Sequence, residues 1–269
     1  MYRALPTDRG AFRLLPGDLR RLPPSAPIIL PMPRPSGRTT KLPYDPAEAV
    51  AALSAADPKL AKLIALAGPF TPRLAGQQSP FEALTESIIY QQLHGKAAAA
   101  IHARLIAGFQ PIPTLSPIHP TPEQILDAPT QELRAAGLSA NKTLALRDLA
   151  AKTLDGTVPA LARIRRMDDQ AIIDHLTQVR GIGKWTVEMF LIFRLGRPDI
   201  FPTSDYGIRK GFALTFQGLK PTVKVTPDLL AKPADMERRA KKWTPWRSVA
   251  SWYLWRACDL AAGRQVQPE

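Results

Sequence analysis

Helix-start signals recur along most of this chain, and alternating strand patterns are almost absent. "DPAE" (Asp45–Glu48) supplies a capping side chain, a proline at the first helical position and an acid at the third. "DPKLAKLIALAG" begins in the same way and ends at Gly68, and "SPFEALTESIIYQQL" combines Ser79, Pro80 and Glu82. Because such signals begin helices, they predict an all-α fold of about ten helices joined by proline and glycine turns.

Residues 1–43 differ from the rest of the chain, because nine of its 28 prolines fall there. Proline lacks an N–H group and fixes φ, so a packed helix or a central strand is disfavoured. We therefore expect a flexible, basic, proline-rich arm over 1–43 and a helical domain over 44–269. The arm could contact nucleic acid, but a plain terminal extension is the simpler interpretation.

The chain is strongly basic, with a formal net charge of +13 from 36 Lys and Arg against 23 Asp and Glu. A surplus larger than solubility requires favours a polyanionic partner such as DNA, RNA or an anionic membrane surface. The single cysteine, Cys258, excludes a disulfide framework and a cysteine-ligated zinc or iron–sulfur site within the chain. No apolar run approaches the ~20 residues that span a bilayer, and a secretory signal is lacking, so we expect a cytosolic protein.

The stretch "VRGIGKWTVEMF" (179–190) places two glycines between two apolar helical runs. Gly181 and Gly183 permit positive φ and let another molecule approach the main chain. The amides that open the next helix have no helical partner, so an anion such as phosphate fits there, and Lys184 adds a positive charge. An ordinary helix–glycine–helix corner would explain the two glycines equally well, so the turn alone does not decide.

A loop with two prolines, within "GRPDIFPTSDYGIRKG", leads from that second helix to a further one. Either Thr203 or Ser204 is expected to cap the further helix, which places Asp205 in its first turn. A carboxylate in that position has a plain structural role, because it complements the helix dipole by about 0.3–1 kcal/mol.

These stretches together resemble the DNA base-excision glycosylases of the helix–hairpin–helix/Gly-Pro-Asp superfamily. "L-x-x-V-x-G-I-G-K-W-T" followed by "F-P-x-x-D-Y" looks like their hairpin, Gly/Pro-rich loop and aspartate. "SIIYQQLHGKAA", "GLSANKTLALRDLA" and "KKWTPWRSVASWYLW" resemble three further segments of the 3-methyladenine DNA glycosylase II family. The likeness runs from about residue 44 to 260. It implies two helical subdomains flanking a cleft and a hairpin motif at about 170–195. Some members carry an additional N-terminal β domain, which we do not expect here because the segment before the first helix is short and proline-rich.

The resemblance also implies how DNA is bound. An enzyme that acts on a base within a duplex must rotate it out of the stack, and a side chain between the paired helices fills the gap. That side chain maps onto Leu93 or His94, although Leu93 could equally be a core residue. The hairpin amides then grip a phosphate near the lesion. The implied DNA-contacting residues are Leu93, His94, Lys96, Gly181, Gly183 and Lys184.

In this family the chemistry would fall to Asp205. Breaking an N-glycosidic bond builds positive charge on the deoxyribose, which a carboxylate stabilises while it orients the attacking water. Alkylated bases such as 3-methyladenine and 7-methylguanine already bear positive charge, so an aromatic pocket suits them. The implied pocket residues are Trp185, Trp255 and Met189. Trp255 could equally serve core packing, and Met189 stands where some members have a tyrosine.

Members that also cut the backbone carry a lysine two residues after the second glycine, which forms a Schiff base with the sugar. Trp185 holds that position here, and Lys184 comes one residue early. We therefore expect a monofunctional enzyme that leaves an abasic site on an intact strand. Two alternatives stay open: a non-catalytic helix–hairpin–helix DNA-binding protein, which Asp205 disfavours, and a bifunctional glycosylase/lyase, which Trp185 disfavours.

No cofactor is expected for this reaction, and no iron–sulfur cluster. The resemblance implies a structural Na⁺ or K⁺ in the hairpin, held by main-chain carbonyls that map onto Thr177, Val179 and Ile182. The implied partner is double-stranded DNA that contains alkylated bases. It would be bound by a monomer in the cytoplasm, associated with the nucleoid and without a membrane partner.

Overall fold

The computed structural model describes residues 41–72, 74, 78–110 and 119–264. The arm expected over 1–43 therefore lies almost wholly outside the described residues, as does the question of a preceding β domain. Within the described part the secondary structure is helical and strands are absent, which confirms the all-α prediction. None of the described helices combines the length and the apolarity needed to cross a membrane.

The described residues form thirteen α-helices, three more than the ten expected, because several are only one or two turns long. The helices are α1 Pro46–Ala56, α2 Pro58–Ala67, α3 Pro80–Tyr90, α4 Gly95–Gly108, α5 Pro122–Asp127, α6 Thr130–Ala135, α7 Ala140–Leu154, α8 Leu161–Ile164, α9 Asp169–Leu176, α10 Lys184–Phe193, α11 Tyr206–Phe216, α12 Pro233–Ala240 and α13 Arg247–Ala261.

The first three helices begin where the local signals place them. Asp45 accepts a hydrogen bond from the Ala47 amide at 2.8 Å, and Asp57 caps α2. Ser79 and Glu82 form a reciprocal capping box at the start of α3. Each cap satisfies amides that have no partner inside the helix, so these starts follow from sequence alone.

Buried apolar side chains form two clusters, which correspond to the two expected helical subdomains. The first cluster is built by α3 to α10, with residues such as Leu146 and Leu191. The second is built by α1, α2 and α11 to α13, with residues such as Trp243 and Tyr253. Trp255 on α13 packs against both clusters, and it marks the junction where a site between them can form.

Within the second cluster, α11 and α13 cross in backbone contact. A Cβ atom at Gly211 would lie 2.0 Å from the main-chain oxygen of Leu254, so only glycine permits this approach. The close crossing places the beginning of α11 beside the Trp255 turn of α13.

Candidate active site

Asp205 caps α11 and does not lie in its first turn, so the expectation that Thr203 or Ser204 would be the cap is wrong. The Asp205 amide donates to the Pro202 carbonyl at 3.0 Å, which closes a turn directly before the helix. The Asp205 backbone is extended, as is usual for a cap, and its Oδ1 accepts a hydrogen bond from the Ile208 amide at 2.8 Å. Thr203 and Ser204 lie within that turn, so Asp205 is the one of the three possible capping side chains that stands at the helix start.

Two indole groups hold the Asp205 carboxylate. Trp185 Nε1 donates to Oδ2 at 2.8 Å, and Trp255 Nε1 donates to Oδ1 at 2.9 Å. Across the described part of the chain, no Lys or Arg forms an ion pair with Asp205. The carboxylate is therefore fixed in orientation by neutral donors, and its negative charge stays available to a bound group.

The structure thus brings three of the sequence-predicted residues into direct contact. Trp255 also packs 5.6 Å from the Phe193 ring, centroid to centroid, so its packing role and its contact with Asp205 coexist. Met189, one turn after Trp185 on α10, is half-buried against the first cluster. The two indoles and Asp205 come from α10, α11 and α13, so the site lies where the two clusters meet.

The turn that precedes α10 leaves the first amides of that helix open. Gly181 uses the positive φ that glycine permits, at 78°, whereas Gly183 has φ −94°. Gly183 caps α10 without a side-chain hydrogen bond, and a Cβ atom there would meet no atom within 4 Å. The Lys184 side chain is exposed beside it. This geometry suits a phosphate at the helix start.

The loop between α3 and α4, residues 91–94 (the wedge loop), contains both intercalation candidates. Leu93 is half-buried against the first cluster, whereas His94 is exposed and makes no side-chain cap to α4. Gln92 is exposed at φ 58°, the sole positive value outside glycine among the described residues. Lys96, two residues after His94, is exposed in the first turn of α4.

The three hairpin carbonyls expected to hold a cation differ in their hydrogen bonding. The Val179 oxygen accepts the Ile182 amide at 3.0 Å. Among the described residues, no hydrogen bond outside regular helices reaches the Thr177 or Ile182 oxygen. Neutral oxygen ligands with free lone pairs are compatible with a hard monovalent cation.

Glu188, which the sequence interpretation did not single out, lies buried near this site with 5% of its surface exposed. Its Oε1 is 3.8 Å from the Lys184 ammonium, and its Oε2 is buried without a hydrogen-bond partner among the described residues. Burial raises the pKa of Glu188 to about 7, Lys184 opposes that shift, and the negative charge of Asp205 adds to it. The sole signal was one acid inside the apolar run "WTVEMFLIF".

Glu188→Gln is expected to remove a pH-dependent loss of stability. An acid whose pKa is raised in the folded state stabilises the fold below its unfolded value, near 4.5, and this contribution disappears as pH rises through about 7. The variant should therefore exceed the wild type in free energy of unfolding above pH 7, by up to about 3 kcal/mol, with no such gain near pH 4. Urea unfolding at pH 4 and 8.5 tests this, and parallel pH curves for the two proteins would contradict it.

Gly207, in the first turn of α11, is a second residue that the sequence interpretation missed. A Cβ atom there would lie 2.7 Å from Trp255 Cδ1 and 3.2 Å from Asp205 Oδ1. An indole ring cannot bend away, so a side chain would displace it from Asp205. Glycine is therefore required at this position for the contact between α11 and α13 at the site.

Gly207→Ala is expected to slow any reaction that uses Asp205 by about tenfold or more, since a hydrogen bond to a charged group contributes about 1.5–3 kcal/mol. Gly108→Ala is the matched control, because Gly108 also lies in a helix and has free space around it. Single-turnover rates of the two variants give the comparison. Equal rates for both variants would mean that the hydrogen bond from Trp255 to Asp205 does not contribute to the reaction.

The fold and this site together define a helix–hairpin–helix protein with an aspartate after a proline-containing loop. The model of the family described as "HhH-GPD superfamily base excision DNA repair protein" matches residues 85–236. The chain therefore belongs to the HhH-GPD superfamily of base excision DNA repair proteins, which confirms the family suggested by its motifs.

Named relatives agree with this assignment. The chain is 36% identical over 210 residues to DNA-3-methyladenine glycosylase 1 of Schizosaccharomyces pombe, covering 78% of this chain and 86% of the relative. It is 29% identical over 186 residues to DNA-3-methyladenine glycosylase 2 of Escherichia coli, covering 68% and 59%. A solved structure of the S. pombe 3-methyladenine DNA glycosylase in complex with abasic DNA matches with a TM-score of 0.64 and 34% identity, over 78% of this chain and 95% of that one.

Proposed function

We propose that this protein is a monofunctional DNA glycosylase of base-excision repair that removes alkylated bases such as 3-methyladenine and 7-methylguanine. The observation that carries the proposal is the Asp205 carboxylate, held by two indole N–H groups at a helix start beside an open phosphate-binding turn. The names of the S. pombe and E. coli relatives support the choice of substrate.

The proposed reaction breaks the bond between the sugar C1′ and the base nitrogen. The base leaves with the bonding electrons, and water adds to C1′ and releases a proton. An alkylated base that carries positive charge departs as a neutral molecule, so no general acid is needed. Asp205 stabilises the positive charge that develops on the deoxyribose and orients the attacking water.

The aromatic surroundings of Asp205 suit a cationic base. Trp185 and Trp255 present their N–H edges to the carboxylate, and their π faces are proposed to stack on the flipped base together with Met189. A cation on an aromatic face gains about 0.5–2 kcal/mol, whereas an undamaged neutral base gains less. The pocket would therefore favour alkylated bases over normal ones.

DNA binding is proposed to use the hairpin and the wedge loop. The open amides after Gly183 would bind a phosphate, and Lys184 and Lys96 would add attraction that does not depend on sequence. Leu93 or His94 would enter the space left by the base. When bound, a Na⁺ or K⁺ on the carbonyls of Thr177, Val179 and Ile182 would supply further positive charge beside that phosphate. We propose that the enzyme acts as a monomer associated with the nucleoid.

Incubation with methylated duplex DNA tests this function. The expected products are free 3-methyladenine and 7-methylguanine, identified by mass spectrometry, and an abasic strand that breaks only after alkali treatment. DNA binding without base release would favour the non-catalytic alternative.

Borohydride trapping on the same DNA is expected to give no covalent adduct, because Trp185 stands at the position where a Schiff-base lysine would be needed. The readout is a gel shift of the denatured protein. An adduct that forms with the wild type would instead support a bifunctional glycosylase/lyase.

A further inference from the structure

Helix α7 carries three charged residues that contact the two proposed DNA-binding segments. Lys142 reaches the wedge loop, whereas Asp148 and Lys152 reach the hairpin turn between α9 and α10. Asp148 and Lys152 are four residues apart and share one face of α7, and Lys142, in the first turn, lies within about 120° of them around the helix axis. None of the three belongs to the site around Asp205, so their contacts with the two proposed DNA-binding segments need another explanation.

Lys142 holds the beginning of the wedge loop. Its half-buried ammonium donates to the main-chain oxygens of Ile89 at 2.6 Å and Gln91 at 2.8 Å. These oxygens lie at the end of α3, where carbonyl groups lack helical partners and a cation is favourable. Burial lowers the pKa of Lys142, because the ammonium is partly withdrawn from water. The contact fixes the last turn of α3, from which the wedge loop departs.

Gln91 then joins the wedge loop directly to the hairpin. Its side-chain Nε2 donates to the Gly181 main-chain oxygen at 2.9 Å, across 90 residues of sequence. Gly181 is the left-handed residue of the hairpin turn, and a Cβ atom there would lie 3.5 Å from Ala145 Cβ on α7. Gln92, which follows Gln91 in the wedge loop, has a positive φ of 58°. The side-chain amide of Gln91 thus joins the two loops beside the residues of each that have positive φ, Gln92 and Gly181.

The hairpin end of the same connection is also fixed from α7. The Asp148 carboxylate accepts the Arg180 amide at 2.7 Å, and the Lys152 ammonium donates to the Gln178 oxygen at 2.6 Å. Asp148 and Lys152 form an ion pair at 2.8 Å. Both ends of the turn are therefore anchored on the helix that also anchors the wedge loop.

We propose that Gln91 and Lys142 are positioning residues for base flipping, which fix the wedge loop at a set distance from the phosphate-gripping turn. The inference rests on the proposed function and deepens it. When the turn holds a phosphate, the wedge side chain is already placed to enter the stack. Neither residue touches the reacting atoms; each acts by holding the two segments in register while the base rotates out.

This role predicts a dependence on base pairing that a general structural role does not. Flipping a paired base costs a few kcal/mol, and the cost is lower for a mismatched base. A loosened wedge loop should therefore slow release of a paired alkylated base much more than release of the same base in a mismatch. A defect in the chemistry or in the fold would slow both substrates equally.

The test measures single-turnover release of 7-methylguanine from a matched duplex and from one that carries a mismatch at the lesion. Gln91→Met and Lys142→Met keep side-chain length and remove the donors. We expect each variant to lose about tenfold on the matched duplex and about twofold or less on the mismatch, because one or two hydrogen bonds are lost. Affinity for undamaged duplex should change by less than about twofold. Lys62→Met, an exposed lysine on α2, is the control for loss of charge.

Equal losses on the two duplexes, or no loss with Gln91→Met, would overturn the inference. Gln91→Met keeps the test decisive if Lys142→Met unfolds, because Gln91 is half-buried and contributes one bond. A wild type that releases no methylated base would instead overturn the proposed function, so the two failures are distinguishable.

Discussion

Asp205→Asn is expected to lower the single-turnover release of alkylated bases by about 10²–10³-fold or more, while duplex affinity stays within about twofold. The substitution removes the negative charge that stabilises the sugar cation. It also replaces one acceptor oxygen by an NH₂ group, which would face an indole donor. The oxygen that remains can still accept from the Ile208 amide, because asparagine caps helices about as well as aspartate. The loss should therefore appear in the rate and spare the fold.

Asp168→Asn is the matched control for this experiment. Asp168 caps α9 through a 2.8 Å bond from the Ala171 amide and lies outside the site around Asp205. It undergoes the same chemical change in the same kind of position, so its rate should equal that of the wild type. Release by Asp205→Asn at the control rate would remove Asp205 from the mechanism.

Asp57→Ala is expected to give the largest loss of stability, about 3–5 kcal/mol in the free energy of unfolding. The Asp57 side chain is fully buried and contacts Arg239 at 2.7 Å, Lys242 at 3.1 Å and Trp243 Nε1 at 3.1 Å. Removing the carboxylate leaves a buried indole N–H without an acceptor, separates two cations from their counter-charge and deletes the cap of α2.

The pH dependence of stability provides a second readout for Asp57. Burial alone would raise its pKa, but hydrogen bonds from Arg239, Lys242 and Trp243 outweigh burial and lower the pKa to about 2. A lowered pKa means that the stabilisation is complete above about pH 4 and is lost as pH falls toward 2. Urea unfolding at pH 7 and pH 3 measures both effects. Asp45→Ala, an exposed cap, should cost only about 1 kcal/mol, and a similar small cost for Asp57→Ala would refute the prediction.

Local sequence rules predicted the helices well and the candidate site only in part. Caps such as Asp45 and Ser79 bond to amides at most three residues away, so the local sequence is enough to predict them. The cap of α11 was misplaced because Thr203, Ser204 and Asp205 satisfy the same rule. The choice depends on the turn at Pro202, and the contacts of Asp205 with residues 20 and 50 positions away reinforce it.

Most of the residues that the sequence interpretation missed act through long-range contacts. Gln91 and Lys142 lie within motifs that were recognised, but their partners are 90 and about 50 residues distant. Glu188 was hidden because one acid in an apolar helix has no distinguishing period. Such roles follow from how helices pack, and a pattern along one helix carries no information about its neighbour.

The backbone contact at Gly211 makes the two indole bonds to Asp205 mechanically unequal. α11 and α13 are in backbone contact there, so Asp205 and Trp255 are held by helices of the same cluster. Trp185 belongs to α10, in the other half of the molecule. A displacement of α10 relative to α11 would therefore lengthen the Trp185 bond and leave the Trp255 bond in place. A fluorine label on the Trp185 indole would then report a change in that bond.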